Sequence, residues 1–349
     1  MVDGIVKRNK YLVLVTTYGE VEPVTIRGLW PSSRKILETV TRQIAKIPPA
    51  LMYMVADYRS LKHYVDWKLH GYHSSLNAIN HAQAQLIASA LTKHDAEVLK
   101  ACRVDVQDAN YFQPPYFEEV VRKAHGEYDG VIVVPMFPIE SAFSCGIGCQ
   151  MAIDEYGASI FHHVAILSGL WSDPHLHQLY ATYLYERLSV EPNFPRQGKL
   201  GLLLVVHGTL VRDRKGRPPS VFTGLEATMQ FFQAMKQVMQ QHPDCMFADV
   251  RQGCLNHSRG GEWTSDTIEK ALESFKRDGY DGVVMFPYGF FADNSETDYD
   301  AFNRLKRAAF PYSLYVPCVN EYPPFAEWVA KRVLQRLQAL HGMQAAQIL

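Results

Sequence analysis

Two kinds of apolar pattern alternate along this chain. Near-unbroken apolar runs at 11–15, 131–134, 200–206 and 283–286 have the length and the turn-residue boundaries of strands buried on both faces. Ahead of two of them, apolar positions recur at helical spacing. These are Phe117, Val120, Val121 and Ala124 before Gly126, and Ile268, Ala271, Leu272 and Phe275 before Gly279. Asp266 and Glu269 have capping-box spacing at the start of the second helix. A helix, an Asp-Gly turn and an apolar strand form the return limb of a βαβ unit, so a buried parallel sheet is expected.

The pattern occurs twice in the same order. "EYDGVIVVPMFP" (127–138) and "GYDGVVMFPYGF" (279–290) share Tyr-Asp-Gly, an apolar run and a proline. "YLVLVTTYG" and "LGLLLVVHG" each end on a ring-bearing polar residue and a glycine, Tyr18-Gly19 and His207-Gly208. The chain therefore reads as α/β, with two similar domains, each a parallel β-sheet flanked by helices, joined in the polar stretch 189–199. Ligands of open parallel sheets bind outside the carboxyl ends of the strands. Tyr18, His207 and the segments after Pro135 and Pro287 would then line one cleft if the domains face each other. Tyr18 taken alone also reads as a half-buried strand-end aromatic.

Composition narrows the class. With 349 residues, 47% of them apolar, the chain can bury a large core. Its 35 basic and 36 acidic side chains leave a net charge of −1, so nucleic acid is not an expected partner. No run approaches the roughly 18 apolar residues of a membrane span, and a soluble protein is expected. Six cysteines without C-x-x-C spacing suggest reduced thiols and a cytoplasmic location. Cys145 and Cys149 read as small buried thiols, with a metal pair the alternative. His162 and His163, adjacent before a probable strand, would point to opposite faces and are taken as structural. Neither half has a G-x-G-x-x-G or P-loop glycine pattern where its first strand ends, which argues against a nucleotide enzyme.

The richest chemistry follows Pro287. "YGFFADNSETDYDAF" carries Asp293, Glu296, Asp298 and Asp300 among aromatic residues. Read as a helix, it puts Glu296 and Asp300 on one face, where like charges repel unless a cation or a proton uses them. The alternative is a solvated helix start, with Asp and Asn as caps. A file of carboxylates opposite a histidine, between apolar walls, suits a flat apolar ligand, a divalent cation and the protons their union releases.

Taken together these stretches resemble the ferrochelatase family, enzymes that insert ferrous iron into a porphyrin. "VVHGTL" resembles the strand ending in the site histidine, and "PYGFFADNSETDYD" the segment leading to the site glutamate. "TTYGEVEP", "GYHSSLNAINHAQAQLIASAL", "VVPMFPIESAFSCG" and "PCVNEYPPFAEWVAKRV" are similar to further family segments in the family's order. The resemblance implies two Rossmann-like domains, over 1–185 and 186–318, a porphyrin cleft between them, and a last helix (319–349) packing back on the first. It departs from the family at Gly19-Glu20-Val21, in "HGTLV", at Asn294 and in "VRQGCLNHSRGGEWTSDT", which keeps Gln252 and Trp263. The cysteine cluster that holds an iron–sulfur centre in some members is missing, so no such centre and no prosthetic group is expected.

The implied site gives His207 and Glu296 catalytic roles. His207 accepts a pyrrole proton or ligates the metal, and Glu296 partners it. Asp300 carries protons or guides iron, and Tyr18 contacts the opposite face; His207, Glu296, Asp300 and Tyr18 form the candidate metal set. Tyr18, Arg27, Ser141 and Trp263 are the candidate porphyrin contacts, Arg27 to a propionate, with an ordinary surface arginine as its alternative. Ferrous iron and protoporphyrin IX or coproporphyrin III are the expected substrates. The alternatives are a cobalt or nickel chelatase, or a non-catalytic porphyrin or haem carrier on the same scaffold. A monomer is expected, with a dimer as alternative. A transient contact with a membrane surface or a haem acceptor stays open. The apolar side of the last helix, Phe325, Trp328, Val329, Val333 and Leu337, is read as core, with membrane contact second.

Overall fold

Each Tyr-Asp-Gly repeat clamps the start of the strand beside it. The Lys10 amide donates to the Asp129 carboxylate (2.7 Å), and the Asp129 amide returns a bond to the Lys10 carbonyl (2.7 Å). Asp281 does the same for Lys199, at 2.7 and 2.9 Å. The ammonium groups of Lys10 and Lys199 lie over the rings of Tyr128 and Tyr280, 4.0 and 4.4 Å from their centroids. The glycines leave room for packing: a Cβ at Gly130 would come within 2.9 Å of Leu340, and one at Gly282 within 2.9 Å of Leu200.

These clamps organise two sheets. The computed structural model describes residues 8–44, 48–193, 195, 197–257 and 260–346. Its strands are β1 (Asn9–Thr17), β2 (Cys102–Asn110), β3 (Gly130–Pro135), β4 (Val164–Ile166), β5 (Leu200–His207), β6 (Leu210–Asp213), β7 (Phe247–Leu255), β8 (Gly261–Trp263), β9 (Gly282–Phe286) and β10 (Tyr312–Tyr315). The first sheet runs β2-β1-β3-β4 and the second β10-β9-β5-β7, with every neighbouring pair parallel. Within each half the spatial order is thus second, first, third, fourth. The chain is a pair of Rossmann-like α/β domains, with an antiparallel β6–β8 ribbon added to the second.

The switch in strand order falls beside β1 in one half and beside β5 in the other, which is where parallel sheets open a crevice. The two crevices face each other. The Ala142 amide, after β3, donates to the Phe222 carbonyl, after β6 (2.8 Å), and Ser295, after β9, bonds to Glu20, after β1.

One apolar core runs through both halves. It includes β1 and β3 on one side, β5 and β9 on the other, and two helices between, Pro174–Ser189 and Pro323–Ala346. The first of these helices ends at Ser189, where the polar stretch 189–199 begins. On the second, Phe325, Trp328, Val329, Val333 and Leu337 are all buried, and the helix packs on the Leu76–Thr92 helix and β3. Residues 1–7, 45–47, 258–259 and 347–349 of the expected domains, and 194 and 196 of the expected linker, lie outside the described residues. Two local expectations shift. The helix Ile268–Arg277 is capped by Thr267, which accepts from the Lys270 amide, rather than by Asp266, and the helix Phe117–Glu127 runs past Gly126. All six cysteines are free, and among the described residues no helix is long and apolar enough to cross a membrane.

Because Leu337 sits in the shared core, Leu337→Ala is expected to lower unfolding free energy by about 2–5 kcal/mol. Arg336→Ala on the same helix should change it by less than about 0.5 kcal/mol. Urea denaturation of the two variants measures the difference.

Candidate functional site

The ladder between β5 and β7 continues one residue beyond β5. His207 pairs in register with Leu255, and the Gly208 amide donates to the Leu255 carbonyl (2.8 Å). The approach is close enough that a Cβ at Gly208 would collide with Asn256, which is why glycine follows the histidine. Two residues past Leu255 comes His257, brought alongside His207 by this pairing. The Nε2 atoms of the two rings are 3.2 Å apart.

His207 has its tautomer fixed. Its Nδ1 lies 2.7 Å from the Gly208 carbonyl, an acceptor only, so Nδ1 carries the proton and Nε2 is left as the unprotonated, basic atom. That Nε2 is 3.8 Å from Glu296 Oε1, with the two side chains 36% and 34% exposed. The ligand atoms of His207, His257 and Glu296 all lie within 4.8 Å of one another. Trp263, on β8, walls both imidazoles, its ring centroid 6.2 Å from His207 and 5.1 Å from His257. The His257 ring has surface open to the cleft, yet the protein around it excludes much of the water. Burial first, then the charges of His207 and Arg59, lower its pKa to about 4 against the pull of Glu296.

Glu296 sits on a π-helix, Ser295–Ala301, a rare form that often marks functional sites. Asn294 caps it, its side-chain oxygen accepting from the Glu296 amide (2.9 Å). Asp293, expected as a cap, instead anchors the segment from below. Its buried carboxylate accepts from Tyr315 (2.7 Å), Asn320 (2.7 Å), Thr297 (3.1 Å) and the Cys318 amide (3.2 Å).

The first half supplies the facing wall. Tyr18 stacks on Phe112 (5.5 Å between centroids) and meets Phe137 edge-on (5.0 Å), and burial and then the Glu296 charge hold its phenol proton firmly. Glu20 accepts from the hydroxyls of Ser74 and Ser295, both at 2.5 Å, and from the Ser295 amide. It thereby ties the loop after β1 to the π-helix next to Glu296. Burial raises the Glu20 pKa, and the serine hydrogen bonds oppose that. Tyr72 donates to Asp298 (3.0 Å) and Tyr299 to Asp66 (3.0 Å), extending the clasp. Arg59, on the helix Pro49–Leu69, lies among Glu296, Glu20 and Asp300, with burial lowering its pKa and those carboxylates opposing. A cavity of about 120 Å³ separates this helix from Ser295 and Asp300.

Of the residues singled out by sequence, His207, Glu296 and Trp263 come together. Asp300 is outside the ligand group. Its surface is exposed, and burial of its surroundings and then the Glu296 charge raise its carboxyl. Tyr18 belongs to the aromatic wall of the first half. Arg27 is exposed at the start of the helix Ile26–Ile44, and the Ser141 hydroxyl is engaged with Ser144 and the Phe143 amide. His163 packs its ring on His125 (4.9 Å), and its buried Nε2 has no hydrogen-bond partner. Sequence reasoning missed His257, Glu20 and Arg59. His257 had one usable signal, its place just past the strand that partners β5.

The ferrochelatase family model matches residues 13–337. A ferrochelatase of Synechocystis sp. is 22% identical over 311 residues, covering 82% of this chain and 72% of that one. One from Helicobacter pylori is 22% identical over 237 residues, covering 64% and 65%. Among solved structures, SirB from Bacillus subtilis with Fe3+ superposes with a TM-score of 0.53 at 9% identity, covering 96% of this chain and 98% of that one. A multi-domain Deinococcus radiodurans protein with structural similarity to chelatases (16% identity, TM-score 0.46) is matched over 54% of its length and 94% of this chain.

The clasp is pH-sensitive. Burial, then the Asp293 charge, raises Asp298 from 3.8 to about 7. Between those values the folded chain holds a proton that the unfolded chain does not. The stabilisation is therefore full below about pH 4 and is lost as pH rises through about 7. Asp298→Asn keeps an acceptor for Tyr72 without the charge. Its melting temperature should exceed that of the parent at pH 8 and converge with it near pH 4; an offset constant across pH would show that Asp298 does not titrate there.

Proposed function

Since this chain belongs to the ferrochelatase family, we propose that it inserts ferrous iron into a free-base porphyrin with two or four carboxylates, protoporphyrin IX or coproporphyrin III. The observation that carries this reading is the His207 tautomer set by the Gly208 carbonyl, whose unprotonated Nε2 lies beside Glu296 and His257. Insertion removes two pyrrole protons, and an imidazole with an unprotonated ring nitrogen is a suitable acceptor. Glu296 stabilises the imidazolium that results, and Asp300, with its raised affinity for protons, passes them outward.

Tyr18 acts as a protonated ring against the opposite face of the macrocycle, since burial disfavours its phenolate. Trp263 closes the other wall. Arg27, with its exposed guanidinium, is the carboxylate contact, and the loop carrying Ser141 encloses the ring by shape, its hydroxyl already in use. Two rigid crevices set face to face favour a distorted ring over a flat one, which exposes the pyrrole lone pairs. Ferrous iron is a substrate in this scheme, which includes no prosthetic group or iron–sulfur centre, and the free thiols fit a cytoplasmic enzyme.

Anaerobic protein, ferrous iron and either porphyrin should give the absorption change of metal insertion. His207→Ala should slow turnover by about 10²–10⁴-fold, and Glu296→Gln should slow it as well. Tight porphyrin binding without insertion by the parent would replace the chelatase with a carrier.

A further inference from the structure

His207 is asked to do two things with one atom. Its Nδ1 is committed to the Gly208 carbonyl, so metal ligation and proton acceptance compete for Nε2. A second imidazole stands beside that atom, and the conflict is resolved if the metal binds first and the proton follows its departure. We propose that His257 is a metal ligand, and that His207, His257 and Glu296 hold a divalent cation on the protein before any macrocycle is present.

The geometry fits a shared metal. With metal–nitrogen bonds of about 2.0–2.1 Å, two cis nitrogens stand about 3.0 Å apart in an octahedral site and about 3.4 Å apart in a tetrahedral one. The observed separation is 3.2 Å. The Glu296 oxygen is 3.8 Å from His207 Nε2, and all three donor atoms lie within 4.8 Å of one another, so a carboxylate rotation toward the imidazoles would complete the set. Two imidazoles and a carboxylate leave a coordination position open, as metal sites that act on a substrate require. This donor set suits borderline cations such as cobalt, zinc and ferrous iron, with affinity rising along the Irving–Williams series.

The transfer step rests on the chelatase reading, whereas the metal site does not. In that step the metal's bonds to the two imidazoles and the carboxylate break as bonds to the macrocycle nitrogens form. The two pyrrole N–H bonds break, and the protons pass to groups the metal has vacated. Two positive charges leave the cluster and two arrive, with no change of oxidation state.

Cobalt(II) provides the test, because its visible ligand-field spectrum reports coordination. Porphyrin-free protein titrated with Co2+ by calorimetry and absorbance should bind one ion per chain. Loss of an outer-shell partner alone weakens metal sites by about 10–100-fold. His257→Ala, which deletes a direct ligand, should therefore weaken binding by about a hundredfold or more, while His175→Ala, at an exposed helix start, should not. No binding by the parent, or equal binding by His257→Ala, would mean that the two rings share only a hydrogen bond and would overturn the proposal. His257-dependent binding with no transfer of Co2+ or ferrous iron to either porphyrin would leave the site standing and remove the chelatase reading. Insertion and metal affinity both unchanged in His257→Ala would do the reverse.

Discussion

The parallel pairing of β5 with β7 is the constraint on which the site depends. Parallel strands run in the same direction, so their carboxyl ends emerge together. Here the ladder extends to Gly208 and Leu255, which aligns the two loops that follow. That alignment puts two imidazoles in contact, and the carbonyl of Gly208 then selects which nitrogen of His207 faces outward. The glycine serves the backbone approach and the tautomer at once. No other residue at 208 would permit this spacing without moving Asn256.

The two halves share a scaffold and differ in what they display. Asp129 and Asp281 clamp Lys10 and Lys199 by the same bonds, and both sheets have the same strand order. At equivalent strand ends, however, one half offers Tyr18 within an aromatic cluster and the other offers His207 within a ligand group. The first half supplies walls and counter-charges, and the second supplies basic atoms. Glu20 joins the two, its carboxylate held by serines from both sides of the cleft.

Much of this was legible from apolar runs and their punctuation. Strands buried on both faces leave unbroken hydrophobic stretches, and the Tyr-Asp-Gly repeats marked both halves before any packing was known. His207 and Glu296 were visible because each stands where a strand or helix begins or ends. His257 was not, since its role depends on strand register, a pairwise property that a single run of letters does not contain. Glu20 was hidden for a similar reason: its partners, Ser74 and Ser295, are 54 and 275 residues away. The π-helix was read as an ordinary helix because capping residues announce a start without specifying the hydrogen-bond ladder that follows.

The core that passes through both halves bears on how the cleft can open. Two domains joined by a bare linker swing apart as rigid bodies, exposing little apolar surface. Here the helices Pro174–Ser189 and Pro323–Ala346 bury their apolar faces in the shared core, and a swing would pull Tyr180, Leu184 and Val333 into water. Gaping of the whole molecule is thus costly, and entry to the cleft falls to the loops at its rim. The molecule works as a fixed vice with adjustable lips.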